Sequence, residues 1–300
     1  MMKTESAVLN SFRMPTKYTW DCRIERAENL AETGMPARLI LAFYAEVLKW
    51  QHDLFKQIGA ASRNRPLTGS FEADHPLFLH RFGSLQDLAR HKGSESLAAQ
   101  AEDLGVGLER WREVLMGYWN GEAAPESVFF ARACLQPYLE LLANTQTLPF
   151  DSQLAIANAT AQTALTEEPQ PHRFCPFCGR KPQVAFLSSD TSMPGLLEGS
   201  AEGGHRFLMC GDCLSVWPFL RIACVSCAEI DPRKLPYYSA KDSPNIRVDC
   251  CDACKVYIKC IDLTKDNRSV PLVDELAAIP LDLWAQDQGY RKIQLNLAGM

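Results

Sequence analysis

The chain has 300 residues, with 31 Lys+Arg against 36 Asp+Glu and a formal net charge of −5, a length that suggests about two domains of ~150 residues. No apolar run approaches the ~20 residues of a membrane span, and residues 1–14 lack the apolar centre and small-residue cleavage site of a signal peptide. Residues 171–300 carry 15 basic and 15 acidic side chains, which leaves the whole −5 on residues 1–170, so electrostatic capture of nucleic acid is not expected from either half. Without a signal the expected compartment is the cytoplasm, where cysteines stay reduced.

Residues 1–20 read as a loose leader. Asp21 is a candidate cap for a first helix through Asn29 and Leu30, which Gly34 and Pro36 would end. From Ala37 onward Leu39, Ile40, Phe43, Tyr44, Val47 and Leu48 recur at three- and four-residue steps, which predicts a helix to about Ile58. Residues 60–75 are rich in turn formers and read as a loop. Further helices are expected at 76–92, 95–119, 126–146 and 151–164, with Pro137 kinking the third of these. No strand-like alternation interrupts them, so an all-α domain of about six helices is expected over 1–165. The polar, proline-containing stretch 166–172 reads as a linker.

The texture then changes. Eight of the twelve cysteines fall into four Cys-x-x-Cys pairs: Cys175/Cys178, Cys210/Cys213, Cys224/Cys227 and Cys251/Cys254. A two-residue gap lets two thiolates on one tight turn, a knuckle, reach the same ion, and two knuckles complete a tetrahedral four-sulfur site. Gly179 follows the first pair and permits the positive φ that such a turn uses. Strands are expected at 183–187, 205–209 and 214–222, then from Tyr237, over 245–248, and through Val256, Ile258 and Cys260. Trp217 and Ile258 each lie four residues past the last cysteine of their unit. The order knuckle, strands, knuckle, strand therefore occurs twice. It favours Cys175, Cys178, Cys210 and Cys213 on one ion, and Cys224, Cys227, Cys251 and Cys254 on the other. Lys181, Arg221 and Lys255 are the nearby cations expected to offset thiolate charge.

A tetrahedral sulfur set fits zinc, or iron in a rubredoxin-like site. It leaves no open coordination position, so hydrolysis at the metal is not expected. Cys22, Cys134 and Cys260 read as small buried apolar residues, and Cys250 as a bystander beside a ligand. The histidines are scattered: His52 with Asp53 reads as a surface pair, and His205 as a strand residue. No phosphate-binding glycine loop and no nucleophile elbow occurs. After the knuckles, 273–288 reads as an amphipathic helix that Pro280 kinks or restarts.

The order CPFCG, HRFLMCGDCLSVW, RIACVSC, PYYS, RVDCCDACKVYIK and a closing QGY, with RIERAENLA and LAFYAEVLKWQ near the start, resembles the formate dehydrogenase accessory protein family (FdhE type). The likeness is dense over 173–292 and thin from about 60 to 165. It implies an α+β multidomain chain: an N-terminal all-α helical domain (1–165), a linker (166–172), two small rubredoxin-like or zinc-ribbon β modules (173–222 and 223–265), and a C-terminal helical segment (266–300). It also implies a non-enzymatic cytoplasmic maturation factor that acts as a chaperone for the formate dehydrogenase catalytic subunit. The eight knuckle cysteines would be metal ligands, with iron favoured by the family and zinc fitting equally. A rubredoxin-like electron carrier for the same client, or a zinc-ribbon nucleic-acid binder, are the alternatives.

Overall fold

A computed structural model of the chain describes residues 18–145, 172–190, Met193 and 204–300. The leader before Tyr18, the helix expected at 151–164, the linker except His172, and most of the loop at 188–204 lie outside the described residues.

Helix α1 (Trp20–Glu32) begins one residue before the expected cap, because Thr19 takes that place and its hydroxyl accepts from the Cys22 amide at 3.4 Å. Helix α2 (Arg38–Ser62) is 25 residues long. It buries Leu41, Tyr44, Val47, Leu48, Gln51, Leu54 and Ile58 along one stripe. Leu39 and Ile40, expected on that stripe, face solvent instead at 75% and 37% exposure. The expected loop at 60–75 is shorter than its composition suggested: α2 reaches Ser62, and a single turn, α3 (Phe71–Asp74), follows.

Two short 3₁₀ turns lead into α4 (Phe82–Lys92). The single helix expected at 95–119 is two, α5 (Glu95–Asp103) and α6 (Leu108–Asn120). Gly105 and Gly107 break it, at φ +73° and +120°. Helix α7 (Val128–Thr145) is buried almost all round, which makes it the axis of the helical region. Its polar residues Arg132, Gln136 and Glu140 recur every four positions and form one buried polar stripe. Glu140 receives both Arg23 nitrogens, at 3.1 and 2.5 Å, which fastens α1 to α7.

The C-terminal half builds one seven-stranded sheet. Its strands are β1 (Pro182–Ser188), β2 (His205–Cys210), β3 (Val216–Phe219), β4 (Tyr237–Ser239), β5 (Ile246–Cys251), β6 (Val256–Asp262) and β7 (Arg291–Lys292). β1–β2–β3 is an antiparallel meander, and β4–β5–β6 repeats it. The copies join where β1 runs parallel to β6, Val184 opposite Lys259 through Leu187 opposite Asp262, in the order β3-β2-β1-β6-β5-β4. β7 adds a short parallel pairing to the start of β6.

Helices α8 (Pro271–Ala277) and α9 (Ile279–Asp287) pack on this sheet, and Pro280 sits in the first turn of α9 as a restart. Lys259 from β6 and Lys292 from β7 meet Glu275 and Asp282 in a fully buried square of charges. Lys259 Nζ lies 2.9 Å from Glu275 and 2.5 Å from Asp282, and Lys292 lies 3.1 Å from Asp282. Tyr257 donates to Asp282 at 2.8 Å. One apolar core runs from Tyr18 through the helices and both meanders to Ile293.

Candidate metal centres

The four knuckles share one backbone geometry. The amide of the first cysteine bonds a carbonyl five residues on: Cys175 to Arg180 at 2.7 Å, Cys210 to Ser215 at 3.0 Å, and Cys224 to Glu229 at 2.8 Å. In the fourth, Cys251 pairs with Val256 as β5 turns into β6. Each turn closes on a residue in the left-handed region: Gly179 (φ +70°), Leu214 (+58°), Ala228 (+63°) and Lys255 (+57°). Only the first was legible as a glycine; three L-residues accept a conformation that ordinarily costs roughly 1–2 kcal/mol each. In return, amides turn inward onto sulfur. Asp212 N–H lies 3.4 Å from Cys210 Sγ, and the Ser226 and Cys227 amides lie 3.3 and 3.4 Å from Cys224 Sγ.

The sulfurs gather in two groups. Cys175, Cys178, Cys210 and Cys213 bring their Sγ atoms within 4.8 Å of one another, and so do Cys224, Cys227, Cys251 and Cys254. The cross-knuckle separations are 3.5 and 3.4 Å in the first group and 3.6 and 3.7 Å in the second. A disulfide would need about 2.05 Å. A tetrahedron of thiolates ~2.3 Å from a central ion has edges of about 3.8 Å. These spacings fit a shared ion, and both groups could hold one. Burial pushes the thiols of Cys175, Cys178 and Cys213 well above their ordinary range, so an entering metal must displace their protons.

The two groups sit in different surroundings. All four cysteines of the first are buried, whereas Cys227 of the second is exposed and Cys254 partly so. The first group is gripped by the helical region through Asp212, inside the second knuckle. That carboxylate receives the Tyr118 hydroxyl and lies 3.2 Å from Arg132 Nε and 3.9 Å from Arg180 Nε. Gln136 donates to the Gly211 carbonyl at 2.6 Å, and Arg132 to Gln183. A Cβ on Gly211 would stand 1.9 Å from an Arg132 nitrogen and 2.7 Å from Gln183 Oε1, so any side chain there would have to displace the Arg132–Gln183 pair. The cations beside the first group are thus Arg132 and Arg180, which the Asp212 carboxylate above all, with Tyr118 and the nearby thiols adding less, holds above the ordinary arginine range against burial. Of the cations expected from sequence, Lys255 instead pairs with Asp252 at 2.6 Å and Arg221 donates to the Gly204 carbonyl at 2.5 Å. The clue to Asp212 was an acidic residue inside CGDC, and the clue to Arg132 was a charge on an otherwise apolar helix.

Cys134 and Cys260 are buried in the core as expected. Cys22 is half-buried rather than buried, with its sulfur accepting from Thr19 at 3.3 Å. Cys250 is buried with Val248, Tyr257, Ala285 and Tyr290, outside the second group. His52 stacks on Trp20 at 5.8 Å and faces Asp21 at 3.6 Å rather than Asp53, and His205 opens β2. The closing QGY is a turn: Gly289 takes φ +81°, and Tyr290 donates to Asp252 of the fourth knuckle at 2.8 Å. None of the described helices is long and apolar enough to cross a membrane.

Comparison with known proteins agrees with this arrangement. A family model described as FdhE, C-terminal domain, matches residues 222–298, from the third knuckle to beyond the QGY turn. The chain is 28% identical over 293 residues to a protein FdhE homolog of Aquifex aeolicus (strain VF5), covering 92% of this chain and 94% of that one. It is 24% identical over 307 residues to a protein FdhE homolog of Haemophilus influenzae (strain ATCC 51907 / DSM 11121 / KW20 / Rd), covering 96% and 93%. Protein FdhE of Escherichia coli (strain K12) is 28% identical over 142 residues, covering 47% and 42%. The crystal structure of the FdhE protein from Pseudomonas aeruginosa shares the fold, with a TM-score of 0.65 at 22% identity over 95% of this chain and 97% of that one.

Proposed function

This chain belongs to the FdhE family, and we propose that it works as a non-enzymatic accessory factor of formate dehydrogenase, binding the catalytic subunit in the cytoplasm during its maturation. One observation carries the reading: two four-sulfur groups set in duplicated meanders, the first of them fastened to a helical region. Cys175, Cys178, Cys210 and Cys213 would hold one ion, and Cys224, Cys227, Cys251 and Cys254 the other. The family resemblance favours iron; zinc satisfies the same sulfur geometry. A closed tetrahedron supplies rigidity and offers substrate no coordination position. The chain's own residues then present a fixed surface to the client. The test is a pull-down of the formate dehydrogenase catalytic subunit with the tagged chain, paired with enzyme activity after deletion of the gene. Capture of the subunit and loss of activity are expected; no complex together with normal activity would sink the reading.

A second reading is electron transfer to the same client. It is favoured by the exposure of Cys227 and partial exposure of Cys254, which bring the second group to the surface. It requires iron. A freshly purified protein that is colourless and holds only zinc ends it.

A further inference from the structure

The duplicated units differ at one position beside the sulfurs. Two residues past the last cysteine, the first unit has Ser215 and the second has Val256. Their backbones correspond. Each follows a left-handed residue, Leu214 at φ +58° and Lys255 at φ +57°. Each also faces the first cysteine of its knuckle: the Ser215 carbonyl accepts from the Cys210 amide, and Val256 pairs with Cys251. The side chains therefore leave equivalent points of the two copies. Ser215 Oγ lies 3.2 Å from Cys213 Sγ, whereas a valine has no donor to offer.

Burial explains why the first unit needs a donor. Ser215 is 2% exposed and Cys213 1%, so solvent is nearly excluded from this sulfur. Four thiolates on a divalent ion keep an excess of negative charge, and desolvating that charge is costly unless donors replace the lost water. The first group replaces it with protein groups. Two guanidiniums, Arg132 and Arg180, stand beside one carboxylate, Asp212. The Asp212 amide lies 3.4 Å from Cys210 Sγ, and the Ser215 hydroxyl stands against Cys213. In the second group Cys227 is exposed and Val256 half-buried, so water can serve as donor. The cations there, Lys255 and Lys234, pair one for one with Asp252 and Glu229.

Once an ion is bound, the Cys213 sulfur carries no proton, so the Ser215 hydroxyl donates and the thiolate accepts. Hydrogen bonds to a ligating sulfur orient the ligand and draw electron density from the metal. We propose that Ser215 is a positioning residue of the first metal centre. Its hydroxyl holds the Cys213 thiolate and lowers its electron donation, so the buried centre retains its ion and differs electronically from the exposed one. The inference rests on reading each group as the ligand set of one ion, and adds a residue that makes the two centres unequal.

Cobalt(II) is the probe, since it accepts the same tetrahedral sulfur set as zinc or iron. The full chain is loaded with cobalt during expression. The thiolate-to-cobalt charge-transfer band and the release of cobalt to a strong chelator are recorded for wild type, Ser215→Ala and Ser215→Thr, each checked by circular dichroism. In Ser215→Ala the band of one of the two cobalt centres should move to longer wavelength, because an unbonded thiolate gives up its electron more readily. The slower of two release phases should quicken at least ~tenfold, and the faster should stay as it is. Ser215→Thr keeps a hydroxyl and should restore both readouts; where the buried site rejects threonine, the alanine band still decides. A role in packing alone would quicken release without moving the band. Ser215→Ala with the wild-type band, a shift shared equally by both centres, or a folded threonine variant that matches alanine overturns the proposal. A wild-type chain that binds fewer than two cobalt ions removes the ligand reading beneath it, and the inference with it. Two bound ions with an unmoved band remove the role of Ser215 alone.

Discussion

The left-handed residues that close the knuckles set a local cost against metal-site geometry. Ala228 has φ +63° and no glycine's freedom. Ala228→Gly removes roughly 1–2 kcal/mol of backbone strain and adds ~0.5–1 kcal/mol of unfolded-state entropy. Urea unfolding of the metal-loaded protein should place this variant level with wild type or up to ~1 kcal/mol above it; a clear loss would refute the strain. The buried charge square makes a second residue-scale prediction. Burial works to raise Glu275, but Lys259 and Lys292 overcome it and hold the carboxyl at about 2 rather than 4.5. A depressed folded-state value means stability that is fully present above pH 4.5 and lost as pH falls toward 2, on the order of 3 kcal/mol. Unfolding curves of Glu275→Gln should lack that acid-dependent portion. Lys259→Met leaves two carboxylates with one ammonium in a fully buried site, and should cost about 3–5 kcal/mol. Adding Asp282→Leu to it should recover part of that loss; no recovery would mean that packing, not charge balance, sets the cost.

At the scale of elements, the duplicated meanders build two sulfur groups of one plan and unlike exposure. Access governs how fast a chelator or an alkylating reagent reaches a thiolate. Metal release to a strong chelator should therefore run in two phases. Absorbance or metal analysis should assign the faster phase to the group containing Cys227, and mass spectrometry should find Cys227 and Cys254 alkylated before any cysteine of the first group. A single phase, or early labelling of Cys175, would contradict the difference in burial. Strands β1 to β6 and the four knuckles lay near their expected positions because cysteine spacing and period-two alternation are local. The helix expected at 95–119 divided at Gly105 and Gly107 because two positive-φ glycines outweighed a continuous apolar stripe. The short strand β7 carried no sequence signal of its own; the turn at Gly289 and the start of β6 create it.

Across the whole molecule, the first sulfur group is where the helical region and the sheet are fastened. Arg132, Gln136, Tyr118 and Arg180 all close on the second knuckle. Loss of metal there should therefore loosen α7, some distance along the chain from any ligand. Hydrogen exchange on Cys210→Ala/Cys213→Ala should show reduced protection through 128–145, while Cys227→Ala leaves α7 as in wild type. Equal effects from both variants would remove the coupling. The chain's cysteine pairs, their duplicated order, an interruption at Pro280 and the helical character of the first half were determined by the sequence alone, since each depends on residues a few positions apart. The parallel join of β1 to β6, the grip of Arg132 on Asp212, and the burial of one sulfur group and exposure of the other were decided only by the tertiary structure. Each depends on which distant surfaces meet, and neither spacing nor periodicity encodes that meeting.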